Sequence, residues 1–207
     1  MIKTQTTLIK AFVAGVLVAI GGILYVSSTD KLIGSILFSF ALILIVSRNY
    51  NLFTGKVGYL LPYEKGQIKL IALTLVGNVV GVLFTSSLFL LSGKTNAIHQ
   101  AEVLMFNKLN QSWVEVLVLA IFCGFMMYLA VDSYRKIKNQ GAALLVVIFS
   151  VMIFIIAGFE HSIADLAYIT IARSFSLETL GFIITVFIGN LLGAVFLNLL
   201  NYFIESA

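Results

Sequence analysis

The sequence predicts an all-α polytopic membrane protein of six transmembrane helices, arranged as an inverted 3+3 repeat with broken helices two and five. Three observations carry that reading. Apolar residues make up 60% of the 207-residue chain and charged residues only 11%, where a soluble domain carries roughly 25% charged residues. Apolar runs recur along nearly the whole chain, and about 20 such residues span a bilayer. Two of the runs stop short and lead into half-polar segments at matching places in the two halves.

The first run, 8–28, has Lys3 and Lys10 near its head and could be taken for a signal peptide. Its apolar stretch from Ala11 to Val26 is longer than the usual apolar core of such a peptide, and no soluble domain follows, so it reads as a span. The second run, 32–47, is short and is followed by "RNYNLFTGKVGYLLP". The third, 68–92, and the fourth, 113–131, are of spanning length. The fifth, 142–157, is short again and leads into "GFEHSIADLAYITIAR"; the sixth is 177–203. Irregular backbone at membrane depth survives only where protein buries it or where it lines a watery cavity. Such segments at corresponding places in two halves point to a transport site.

The halves correspond in detail. The third span carries "VGNVVG" at 76–81 and the sixth "IGNLLG" at 188–193, so Gly189 follows Gly77 by 112 positions. "LFTGK" at 52–56 and "EHSIA" at 160–164 stand 108 apart. Three spans per half is an odd number, which inverts one half relative to the other. The whole chain, 1–207, then forms a single transmembrane domain with inverted repeats at about 8–92 and 113–203. The simpler reading of GN-x-x-G, small residues for helix packing, stays open beside this one. With six spans, the termini and the connections after spans two and four share one side. Lys31, Lys94, Lys108 and Arg173 fall on the other, leaving nine of the 13 basic residues on the first. The positive-inside bias makes that side, with both termini, cytoplasmic.

The string "GFEHSIAD" at 158–165 gathers Glu160, His161 and Asp165 in a chain with only 2 histidines and 9 acidic residues. A charge at the bilayer centre costs about 2.5–3.5 kcal/mol on insertion scales, so ionisable groups at that depth mark function by default. Histidine titrates near 6.5 when unperturbed, which lets an approaching anion draw a proton onto the ring; a lone histidine can equally hydrogen-bond a neighbouring helix. Thr54 can donate or accept, toward a substrate, the imidazole or the freed backbone of its own loop. Glu160 reads as structural, its carboxylate accepting N–H groups of the interrupted backbone. His161 and Asp165, at i and i+4, could hold a metal from one helix face. No second histidine lies in any span, however, and there is neither a cysteine cluster nor an HExxH motif. No enzyme activity, metal or other cofactor is expected. Cys123 lies in an apolar run, and His99 reads as a solvated loop residue. The net charge of +4 is no nucleic-acid signal, since basic residues flank spans.

"GFEHSIAD", "NLFTGK", the paired GN-x-x-G helices and "AFVAGVLVAIGGILY" together resemble the formate/nitrite transporter family over nearly the full chain. The resemblance implies an aquaporin-like six-helix protomer in the lipid bilayer of the cell membrane (the inner membrane of two-membrane cells), assembled as a homopentamer with one pore per protomer. It implies a small monovalent anion as substrate, such as formate, nitrite, hydrosulfide or lactate, moved by a channel or a proton-coupled facilitator. By the same resemblance His161 is the central pore histidine, Thr54 faces it, and Lys108 is a vestibule lysine. Leu52 and Phe53, with Leu42, match the cytoplasmic-side constriction. Phe38 and Phe154 match the aromatic constriction on the other side.

The chain departs from the family in several places. Asp165 stands where asparagine is usual and is the expected selectivity modifier: ionised it repels anions, protonated it donates as an amide does. Gly124 stands where asparagine is common on the fourth span, and Lys56 where a small polar residue is usual. The chain begins a few residues before its first span, so the family's amphipathic N-terminal segment is expected to have no counterpart and the pore to stay open across pH. Asp165 and Gly124 keep a second reading alive, an aquaporin-like pore for neutral small solutes or protonated weak acids.

Overall fold

The computed structural model describes residues 3–206, and every regular element among them is helical. In chain order these are α1 Thr4–Ser27, α2 Lys31–Ser47, α3 Phe53–Lys56 continued by a 3-10 turn Val57–Leu60, and α4 Gln67–Leu90. They continue as α5 Thr95–Leu109, α6 Trp113–Lys136, α7 Gln140–Ile156, α8 Ser162–Ile171 and α9 Leu177–Ser206. By length and composition α1, α4, α6 and α9 can each cross a membrane. Helices α2 and α7 are apolar but only 17 residues long. At 1.5 Å per residue that is about 26 Å, short of a hydrocarbon core of roughly 30 Å.

Side chains set where the short helices begin. At the head of α2, the Asp30 carboxylate accepts the N–H groups of Leu32 (2.7 Å) and Ile33 (3.1 Å). At the head of α7, Asn139 accepts the N–H of Ala142 at 3.0 Å. Each occupies first-turn donors that have no partner within the helix. Ser112 and Glu115 form a reciprocal capping box at the start of α6.

Lipid offers little hydrophobic drive between helices, so association depends on close packing. Helix α1 lies along α4, and α6 along α9. A Cβ on Gly77 would sit 2.5 Å from the Cβ of Ala11 and 2.9 Å from the Leu8 carbonyl oxygen. Gly189 meets Ala120 and Leu117 in the same way. The matched partners, Leu8 with Leu117 and Ala11 with Ala120, are each 109 positions apart. The glycines of GN-x-x-G therefore do serve packing.

Residues 95–109, which lie between the third and fourth apolar runs, form helix α5. Ala97, Ala101, Met105 and Lys108 are its buried residues; they recur every three or four positions and present one stripe to α1 and α8. The polar remainder of α5 hides it from a reading based on apolar runs. His99 is exposed, as expected, but lies on this helix, 3.5 Å from Glu102.

Candidate functional site

Two interruptions of the helical backbone build the site, and they are made alike. After α2, Asn49 takes a left-handed conformation (φ 50°) and the N–H of Tyr50 donates back to the Ile45 carbonyl at 2.9 Å. After α7, Gly158 takes φ 71° and Phe159 donates to Phe154 at 2.8 Å. The chain then runs extended, through Leu52 into α3 and through His161 into α8.

Extended backbone at this depth leaves donors and acceptors that must be satisfied. The asparagines of the two GN-x-x-G motifs do so. Asn78 Oδ1 accepts the N–H of Phe53 at 2.7 Å, while its Nδ2 donates to the carbonyls of Ala11 (2.7 Å) and Asn51 (2.8 Å). Asn190 Oδ1 accepts the N–H of Ser162 at 2.9 Å, and its Nδ2 donates to Ala120 (2.9 Å) and Glu160 (2.8 Å). These contacts correct the register read from sequence, which set Leu52 against Glu160. Asn51 corresponds to Glu160, and Leu52 to His161, 109 positions on. Glu160 is corrected too: its carboxylate takes no backbone N–H, because Asn190 and His161 already fill that need.

His161 caps α8. Its Nδ1 accepts the N–H of Ala164 at 3.1 Å, so in the neutral ring the proton belongs on Nε2. Nε2 lies 3.0 Å from Oγ1 of Thr54. The Nε2–H then donates to Thr54, whose own hydroxyl proton stays free to donate elsewhere. Both residues are buried.

A narrow space adjoins the ring, lined by Val18, Phe38, Leu42, Leu52, Met127, Val151, Phe154 and His161. Phe154 stacks on the imidazole at 5.4 Å and meets Phe38 edge-on at 5.8 Å. Phe53 does not line this space; its ring packs edge-on against Phe187 at 5.2 Å. Leu52 also lines a second space, together with Ile45, Lys56, Tyr134 and Arg135. Leu52 thus stands between the two. Val18, Met127 and Val151 escaped the sequence reading. The repeat, taken at 109, leads from Leu42 to Val151; Val18 and Met127 correspond only to each other, and no residue singled out in the sequence leads to them.

Lys108 reaches from α5 to the other face of the second break. Its ammonium pairs with Glu160 Oε2 and lies 3.1 Å from Asp165 Oδ1. All three are buried, Lys108 at 8% exposure, Glu160 at 0% and Asp165 at 1%. Gly124 proves to be a packing position: a Cβ there would stand 2.5 Å from the Asn190 carbonyl oxygen.

Comparison with known proteins agrees with this architecture. The family model described as formate/nitrite transporter matches residues 1–204. The uncharacterized transporter YrhG of Bacillus subtilis is 31% identical over 95% of this chain and 84% of its own length. The formate channel FocA of Escherichia coli K12 is 29% identical over 77% of this chain, and the match spans only 64% of FocA. Among solved structures, a pentameric formate channel with formate bound superposes with a TM-score of 0.85 at 21% identity, over 99% of this chain and 98% of that one. An FNT family ion channel does so with a TM-score of 0.85 at 22% identity, over 99% and 92%. These two likenesses are of fold.

Proposed function

This multi-pass membrane protein belongs to the formate/nitrite transporter family, and from that premise we propose that it conducts a small monovalent anion past His161. In this reading residues 1–207 are one transmembrane domain of six spans. Helix α2 with α3, and α7 with α8, are the broken second and fifth spans. The recurrence of contacts at 109 positions supports inverted repeats at about 8–92 and 113–203. The excess of basic residues on one side supports cytoplasmic termini, and the likeness to a pentameric channel supports a homopentamer.

The observation that carries the function is the bond between Nε2 of His161 and Oγ1 of Thr54, 3.0 Å long, beside an otherwise apolar passage. An anion entering between Phe38 and Phe154 on one side, or past Leu42 and Leu52 on the other, loses water that these side chains cannot replace. The freed Thr54 hydroxyl offers a donor, and the imidazole can become a cation beside the anion or lend it a proton. Lys56 and Arg135 line the space beyond Leu52 and attract anions to that mouth. Lys108 acts on the opposite side through Glu160 and Asp165. In this reading His161 and Thr54 form the centre of the pathway with Lys108 beside it, Phe38, Leu42, Leu52 and Phe154 form its constrictions, Phe53 packs outside the central space on Phe187, and Asp165 modifies selectivity.

Reconstitution tests the reading directly. Formate, nitrite or hydrosulfide should enter proteoliposomes faster than protein-free vesicles. If none does, the function is wrong. A second reading has one observation in its favour: among the described residues, His161 is the single polar one lining the central space, which suits a neutral solute or a protonated weak acid. Flux indifferent to an applied membrane potential would select that reading.

A further inference from the structure

Lys108, Glu160 and Asp165 form a buried group whose charges do not balance when all three are ionised. Two carboxylates share one ammonium, leaving a net negative charge in a buried site. An uncompensated ion in such surroundings costs so much that the group takes up a proton instead. Like-charged carboxylates in one site commonly resolve their repulsion in this way.

The titratable groups around the cluster offer no other compensation. Tyr25 from α1 lies near Lys108, Cys123 from α6 and Tyr168 from α8 lie near the carboxylates, and His161 adjoins Glu160 in the chain. Phenols and thiols are uncharged at neutral pH, and the His161 ring is already engaged by Ala164 and Thr54. No other Lys or Arg among the described residues pairs with either carboxylate.

A second observation comes from the hydrogen bonding. Oε1 of Glu160 and Oδ2 of Asp165 are both buried and have no partner. Buried polar atoms are almost always hydrogen-bonded. Both carboxyl groups meet the same Lys108 ammonium, and a proton on either gives the pair a donor that two carboxylates lack. A single proton thereby removes the excess charge and brings one donor to a site where two buried oxygens have none.

We infer that Glu160 and Asp165 together hold one proton, at a buried site gripped by the Lys108 ammonium and separate from the His161 imidazole. The site exists because position 165 is an acid; with an amide there, Lys108 and Glu160 balance and nothing need be bound. The proton keeps the cluster neutral, so Asp165 does not repel anions from the pore centre. The inference is independent of what the pore conducts.

Infrared difference spectroscopy on the purified, detergent-solubilised protein at neutral pH tests it without a transport assay. The natural protein should show the carbonyl stretch of one un-ionised, solvent-shielded carboxylic acid per chain. Asp165→Asn should lose that band, and so should Glu160→Gln, because each leaves one carboxylate for one ammonium. No such band in the natural protein at neutral pH would overturn the inference, whether or not either variant folds. A band that survives in both variants would overturn it too, since the acid would then lie elsewhere.

Discussion

Oγ1 of Thr54 and Nε2 of His161 lie 3.0 Å apart although 107 positions separate them in the chain. Each sits just past an interruption of its own half, so the contact ties the two halves at their weakest points. Because Ala164 occupies Nδ1, the hydrogen bond sets the ring's tautomer and its orientation together. Thr54→Val keeps the shape and removes the acceptor, which should cost on the order of 1 kcal/mol and slow anion uptake about 5- to 10-fold. Thr54→Ser should stay near the natural rate. Stopped-flow uptake by the two variants decides whether the hydroxyl matters or only the volume.

Asn78 and Asn190 each hold three backbone groups, and both are fully buried. Asn78→Ala and Asn190→Ala should each destabilise the protein by at least ~2 kcal/mol, since a buried unpaired polar group costs about 1–3 kcal/mol. Thermal unfolding in detergent should show a drop for each. Asn→Asp at either site should be nearly as damaging, because a carboxylate cannot donate to the two carbonyls.

Gly124 has no room for a side chain against Asn190. Restoring the family's usual asparagine, Gly124→Asn, should therefore lower thermal stability, by about 1–3 kcal/mol as for other overpacked positions. It should not rescue or sharpen anion selectivity. A stable variant with altered selectivity would show instead that α6 and α9 can separate here.

Phe38 and Phe154 meet edge-on beside His161, and on the proposed pathway an entering anion must pass between them. Phe38→Leu should raise the uptake of lactate relative to formate, with formate itself changed less. The ratio of the two rates in the same proteoliposomes is the measurement. An unchanged ratio would move the size limit away from this pair.

Much of this architecture was legible because lipid imposes a coarse code. Spans show as apolar runs, and α2 and α7 showed as runs too short to cross. The polar strings behind them could only be backbone breaks, and the repeated GN-x-x-G tied one half to the other. The parts that escaped depend on single contacts. Asn51 rather than Leu52 corresponds to Glu160, a distinction made by which carbonyl Asn78 and Asn190 hold. Helix α5 escaped because only one stripe of it is buried. Lys108 read as a pathway or loop residue because nothing in its own segment announces two carboxylates more than fifty positions away. Gly124 looked like a lost polar group, and only the approach of Asn190 shows it as a contact.

The central claim is that His161 governs passage. Formate uptake into proteoliposomes should be followed from about pH 5 to 8, the range in which histidine responds, for the natural protein and for His161→Asn. If His161 governs passage, uptake varies with pH in the natural protein and the substitution flattens the profile. Equal rates and equal pH dependence in the two proteins would contradict it.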